Sequence, residues 1–427
     1  MQVKYARSQI LEIVRQRPRA ATVLASLFGA SENLGRSLVR NPGFIDILLG
    51  ASAKPALDLD ELREELARLL SSVDDRTSGS QREPHLQAIR RFRLIEELRL
   101  GLGRLSGRLS TREASRGLAD LADVCLESTK QEALFDLGDR IDRRFPPRLG
   151  LLAFGKLGGR EMGHGSDLDL VFVFDDDLAQ TPHYARFAQR WLSFVSTPMV
   201  HGRLYTADMR LRPDGSQGAA VTTVEGLCNY YAERAWPWER LALLRARPVA
   251  SSARISKRLD TAIDEVLAKT NLESVREAIV GVRAKRLSEL AQKSGPLDFK
   301  LMAGGLADLE IAVQWMQLSA IVAGTWQGKR RGNTWEALER LQRLGTLPKS
   351  RGKRLAEALE FYRSVENWVR LSEGDQASTL PAAPDRRMAV ALRTMGDRRR
   401  AARFDAEIAE RAEVVQETLT HLGLSGS

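Results

Sequence analysis

Cysteine is nearly absent: Cys125 and Cys228 are the only two in 427 residues. So few thiols exclude a disulfide framework and a cysteine-based zinc site, and they suit a reducing compartment, so a cytoplasmic location is expected. The five histidines are scattered, with no pair at ligand spacing, which removes the usual signature of a histidine-bound metal. No apolar run approaches the ~18 residues that would suggest a membrane span. The opening segment MQVKYARSQILEIVRQ has helical amphipathic spacing and no continuous apolar stretch after its charges, so it reads as a helix rather than a signal peptide. Internal repeats and low-complexity tracts are also missing. What remains is a globular composition, 43% hydrophobic and 28% charged, long enough for two or three domains. The net charge of +10 favours anionic partners without saying which. Much of the excess is arginine on helical patterns, such as RRRAAR at Arg398–Arg403, for which a solvated helix face is the simplest reading. No basic strip is interleaved with stacking aromatics, so nucleic acid is not an expected partner.

Three regions differ in pattern. Residues 1–145 carry apolar residues at helical spacing in Ala21–Phe28, Ile45–Leu49 and Leu94–Leu102, with a loop at Ser71–Pro84. Residues 146–250 turn to short β-branched and aromatic runs separated by Gly and Pro, the pattern of strands. Residues 251–427 return to helices, interrupted at Lys293–Gly305 and Ser372–Asp385. The expected architecture is α+β and predominantly helical: a small mixed sheet flanked by N- and C-terminal helical regions.

The densest chemistry lies in LLAFGKLGGREMGHGSDLDLVFVFDDD, Leu151–Asp177. It reads as a strand, a glycine-rich loop and a second strand that is apolar on both faces from Leu170 to Phe174. Residues two apart on a strand share a face, so Asp167 and Asp169 project together. Adjacent carboxylates at the mouth of a buried strand repel, and a divalent cation between them relieves the repulsion. Magnesium, which favours carboxylates and substrate phosphates, is the cation expected. A further strand is predicted over Arg203–Leu211, with Tyr205, Ala207, Met209 and Leu211 on one face and Thr206, Asp208 and Arg210 on the other. Paired with the Leu168–Phe174 strand, it would bring Asp208 to the other two, and three carboxylates can hold the two ions of a phosphoryl-transfer site. Taken alone, Asp208 reads better as a solvated strand residue paired with an arginine.

Gly155–Gly159 precedes the acidic pair. Its glycines would let backbone amides approach phosphates, with Lys156 adding charge, although an isolated glycine-rich loop is more often a turn. Ser166 could offer its hydroxyl to outer phosphates or simply stabilise a turn. In KLMAGGLADLE, Lys300–Glu310, the glycine pair is expected to open a helix, and Asp308 and Glu310 have a sufficient explanation in opposing its dipole. His164 reads as a loop residue. Trp236, Trp238 and Tyr230–Tyr231 read as core or interface packing.

At these residues the sequence resembles the glutamine synthetase adenylyltransferase family, within the polymerase-β-like nucleotidyltransferases. The resemblance is carried by GKLGGREMGHGSDLDLVF (Gly155–Phe172), RLYTADMRLRPDGSQG (Arg203–Gly218), YYAERAWPWERLALLRARPVA (Tyr230–Ala250) and LDFKLMAGGLADLE (Leu297–Glu310). It extends over roughly residues 20–375. The resemblance implies an ATP-dependent enzyme attaching AMP to a tyrosine of glutamine synthetase, with a nitrogen-signalling protein as a further partner. Full-length members resemble two fused units, one adding AMP and one removing it by phosphorolysis, and this chain has one. GHGSDLD looks like the adding unit, DMRLRP more like the removing one, and Leu301–Ala303 departs from the family's usual turn. The candidate catalytic and metal residues are thus Asp167, Asp169 and Asp208, with Asp208 also expected to accept the tyrosine proton. The candidate nucleotide-binding residues are Gly155, Lys156, Gly165, Ser166, Arg210 and Lys300. Removal of AMP, RNA nucleotide addition and a non-catalytic adaptor stand as successively weaker alternatives.

Overall fold

A computed structural model describes residues 54–73, 82–138, 146–292, 297–374 and 377–425, together with Gly295 and parts of 15–44. Expectations for the opening amphipathic segment, for Ile45–Leu49 and for parts of the Ser71–Pro84 and Ser372–Asp385 loops lie outside these residues.

The first region is helical: α1 (Glu32–Arg40), α2 (Leu59–Ser71), α3 (Glu83–Leu105) and α4 (Thr111–Leu137). Capping boxes start two of them. The Asp58 side chain accepts from the Glu61 amide while Glu61 answers the Asp58 amide, and Ser110 and Glu113 do the same for α4. The middle region contains β1 (Leu149–Ala153), a helical turn α5 (Gly155–Gly158), β2 (Leu168–Phe174), α6 (Thr181–Ser196), β3 (Ala207–Asp208) and β4 (Val221–Thr223). After these come α7 (Val224–Asn229), continuing into a wider turn, α8 (Glu239–Leu243) and β5 (Arg247–Val249). The third region is helical again: α9 (Ala253–Ala268), α10 (Leu272–Ala291), α11 (Leu306–Val322), α12 (Thr334–Arg343), α13 (Lys349–Glu373), α14 (Pro384–Met395), α15 (Arg398–Ala401) and α16 (Phe404–His421). The fold is α+β, predominantly helical, around a small mixed sheet.

The sheet runs β3-β2-β1-β5, with β4 also on β2. β1 is antiparallel to β2 and β5, whereas β2 is parallel to β3 and β4. Strand periodicity sorts its side chains into two cores. Leu149, Leu151, Leu168, Leu170, Phe172 and Phe174 pack with α3, α4 and α6, where Phe174 stacks on Tyr184 at 4.4 Å between ring centroids. Leu152, Val171 and Val173 point the other way, into a core shared with α9, α11 and α13. Both faces are covered, as the unbroken apolar run of β2 requires. Asp167 and Asp169 continue the Val171–Val173 parity, so they lie on the face roofed by the third region.

Several sequence expectations are corrected. The strand predicted over Arg203–Leu211 is regular only at Ala207–Asp208. Tyr205 instead donates its amide to the end of α6, and Arg212 closes a turn onto Met209, so the alternating pattern outlasts the pairing. Gly155–Gly158 is a helical turn rather than an open loop: the Gly158 and Gly159 amides bond to the Phe154 and Gly155 carbonyls. Tyr230 and Tyr231 are buried edge to face, but Trp236 is 68% exposed and belongs to no core. The arginines of Arg398–Arg403 are exposed, a solvated face as expected.

Candidate functional site

The parallel register of β2 and β3 sets Asp169 opposite Asp208, and Leu168 opposite Ala207. Asp167 lies two residues before Asp169, so the three carboxylates come from the start of one strand and its neighbour. Burial pushes Asp169 up to about 6, and the Asp208 and Asp167 charges add to the effect. Asp208 is held below its usual range, chiefly by Arg210, which donates Nε to both carboxylate oxygens at 3.1 and 2.8 Å and Nη2 to Oδ2 at 2.5 Å. The plainer reading of Asp208 as an arginine-paired strand residue is therefore visible, although it stands beside the other two.

Oxygen donors only, with mutual repulsion that raises one of them, are the donor set a hard divalent cation fits. Among the described residues, no three His, Cys, Asp or Glu side chains already enclose an ion position. Asp208 is held by Arg210.

Gly155 is required by this geometry. Its φ is +54°, and a Cβ there would stand 2.1 Å from Asp169 Oδ2. Gly165 also has a positive φ, +64°, in the tight turn Gly163–Ser166, where Ser166 Oγ accepts the Gly163 amide at 3.0 Å. Ser166 thus has the turn-stabilising role, and its hydroxyl also accepts from Arg370 Nη1 at 3.1 Å.

Lys156 does not project freely from a loop. It is buried against Glu366 of α13, Nζ to Oε1 2.5 Å, and burial lowers its pKa to about 8. Arg210 is exposed beside Asp208, and Lys300 is half-buried near Glu310 and Glu366. The Lys300–Glu310 segment divides as its charges suggest. Gly304 and Gly305 precede α11, and Asp308 is a buried structural carboxylate: it accepts Arg283 Nε and Nη2 at 2.8 Å each, Arg286, and the Gly304 amide. Glu310 pairs with Arg245 and Arg363.

Sequence reasoning missed the network behind the site. Glu161, fully buried, accepts from Arg363 and the Thr334 amide and forms an ion pair with Arg245 at 3.0 Å. Arg363 also holds Glu366 within α13, and the Lys156–Glu366 and Arg363–Glu161 pairs tie that helix to the turn after β1. Long-range pairings reveal it, the longest of them Lys156–Glu366 at 210 residues and Arg363–Glu161 at 202. His164, a loop residue as expected, is buried there, its Nδ1 3.6 Å from Glu97 Oε1. Glu97 is buried yet sits at about 2, because Arg93 and His164 outweigh the cost of desolvation. A cavity of about 760 Å³ lies elsewhere, between α2, α4 and β5, and none of the three carboxylates lines it.

A family model described as glutamate-ammonia ligase adenylyltransferase matches residues 21–262, and one described as GlnD PII-uridylyltransferase matches residues 282–422. The bifunctional glutamine synthetase adenylyltransferase/adenylyl-removing enzymes of Aromatoleum aromaticum and Burkholderia mallei are 32% and 31% identical, over 86% and 90% of this chain. The matches cover 38% and 42% of those proteins, so the chain spans about two fifths of the length of these relatives. By both kinds of similarity, this chain belongs to the glutamate-ammonia ligase adenylyltransferase family.

Proposed function

We propose that the chain carries out nucleotidyl transfer, moving AMP from ATP to a tyrosine hydroxyl of glutamine synthetase. The observation that carries this reading is the register of Asp169 against Asp208, with Asp167 on the same strand. Asp167, Asp169 and Asp208 would hold magnesium, two ions in the complete site. When bound, magnesium neutralises charge on the reacting phosphate and acidifies an attacking hydroxyl.

The chain's own groups orient and exchange protons. Gly155 leaves room for the Asp169 carboxylate, and the Gly163–Ser166 turn fixes Ser166 beside the acidic pair, ready to orient outer phosphates. Tyrosine has an unperturbed pKa of about 10, so a base must assist its attack on the α-phosphorus. Asp208, which Arg210 keeps ionised, would accept that proton. Arg210, exposed beside Asp208, is free on its solvent side to meet a phosphate. The tyrosine oxygen bonds to the α-phosphorus, the bond to the β-phosphate oxygen breaks, and pyrophosphate leaves.

The names of the relatives carry both adenylyl transfer and removal, which supports a second reading on the same residues. There, inorganic phosphate attacks the AMP-tyrosine linkage, ADP forms and the tyrosine hydroxyl is released. One experiment separates them. Protein, magnesium and α-labelled ATP are incubated with unmodified glutamine synthetase, and in parallel protein and phosphate with the AMP-modified form. Label on a glutamine synthetase tyrosine with pyrophosphate release supports transfer, and ADP release supports removal. If neither occurs, both readings fall.

A further inference from the structure

The cavity of about 760 Å³ between α2, α4 and β5 is separate from the acidic site, and its size is within the roughly 300–1,000 Å³ of small-molecule sites. Much of its lining is apolar: Leu66 and Leu70 come from α2, Val124 and Leu134 from α4, and Pro248 from β5. Four cations line it as well, Arg63, Lys130, Arg160 and Arg247. Each arginine meets a carboxylate directly. Arg63 grips Glu127 at 2.9 and 2.8 Å, Arg247 grips Asp123 through two bonds of 2.9 Å, and Arg160 reaches Asp120 and Asp123.

Lys130 meets none. It is buried, its Nζ donates to the neutral Ala250 carbonyl at 2.7 Å, and the Trp191 ring is 5.7 Å away. Burial lowers its pKa, and only the charge of Glu127, already held by Arg63, acts against that. An ammonium carries three N–H groups, so two remain for a ligand. Ser128 and Gln131 share a face of α4 by their three-residue spacing, and both line the cavity. Neither side chain makes a hydrogen bond among the described residues. The backbone around Lys130 is strained too. Ala250 and Arg160, both in the lining, have φ of +47° and +53°, and such strain gathers where ligands are clamped.

These features define a ligand class. A single cation without an acid partner calls for a single negative charge, since burying it uncompensated is costly. A dianion such as a phosphate would also meet the Asp123 and Glu127 carboxylates at short range. The leucines of α2 and α4 call for an apolar body. We propose that this cavity binds a small monocarboxylate with an apolar body, its carboxylate on Lys130 with Ser128 and Gln131 as further donors. The assignment stands apart from the nucleotidyl-transfer reading, and neither depends on the other.

The test is calorimetric titration of the full chain with octanoate, octanamide and acetate. Octanoate is expected to bind one site saturably, octanamide about tenfold more weakly because it lacks the charge, and acetate without saturation because it lacks the body. Lys130→Met is expected to weaken octanoate about tenfold and to remove its advantage over octanamide. Ala67→Trp, at an exposed position of α2 in the cavity lining, fills the space and is expected to weaken both ligands. It reads the site if Lys130→Met fails to fold. The inference is overturned if octanoate does not bind the wild type, or binds Ala67→Trp or folded Lys130→Met as tightly as the wild type. Octanamide binding equal to that of octanoate overturns it as well.

Discussion

Asp169→Asn is expected to make the protein more stable while abolishing transfer. In the fold, burial and two neighbouring carboxylates push Asp169 from 3.8 to about 6. A carboxylate with a raised folded pKa binds its proton more tightly when folded, so stability is lost as pH rises from about 4 to about 6 and the deficit persists above that. Two pKa units correspond to ~3 kcal/mol at most, and partial solvation of the half-buried side chain reduces this to roughly 1–3 kcal/mol. Asparagine keeps the shape and removes the charge. An unfolding entropy of ~2.1 cal/mol/K per residue gives a rise in Tm of about 1–3 °C. The assay is thermal melting at pH 8 and pH 4 in excess chelator, with wild type and variant side by side. The gain should be full at pH 8 and much reduced at pH 4, where folded Asp169 is protonated and the unfolded carboxyl is close to half-protonated. A variant that melts at or below wild type at pH 8 refutes the claim that these carboxylates repel one another in the fold.

Gly155→Ala places a Cβ at positive φ and against the Asp169 carboxylate, so it should cost about 1–3 kcal/mol and lower AMP transfer at least tenfold; melting and label transfer read the two effects. Transfer should rise with pH through about 6 at low magnesium, as Asp169 loses its proton, and the midpoint should move to lower pH as magnesium increases, because cation and proton compete for the same oxygens. A midpoint indifferent to magnesium refutes that competition. Arg283→Met leaves the buried Asp308 with only Arg286 and the Gly304 amide, a loss of about 2–4 kcal/mol in urea unfolding, with ATP affinity of the folded protein unchanged.

The acidic site is readable in sequence because strand parity and a doubly apolar run are local properties. Leu168–Phe174 is a buried strand as its composition dictates, and Asp167 and Asp169 share its face by the two-residue period. Asp208 needed one non-local assumption, that its segment pairs with β2, and the pairing is present although only two residues long. The alternation of Arg203–Leu211 overstated the strand, since Tyr205 is buried against α6 rather than in a ladder. The glycine-rich segment misled in the other direction: backbone freedom there serves a helical turn and a close approach to Asp169. Lys156 looked like a free phosphate ligand because its partner Glu366 lies 210 residues away. The same distance in sequence concealed Arg363, Glu161 and Arg370, whose roles exist only once α13 packs against the turn after β1. Of the core or interface packing expected for Trp236, the fold removes the core alternative, leaving the side chain on the surface.

The central claim is that Asp167, Asp169 and Asp208 act as one cation-binding unit. Titration of the chain with manganese, followed by the electron paramagnetic resonance of the free ion, tests it without any nucleotide chemistry. Saturable binding to the wild type, lost in Asp208→Asn as well as in Asp167→Asn, is the predicted result. Wild-type affinity retained in Asp208→Asn would contradict it, because the third carboxylate would then stand beside the site without belonging to it.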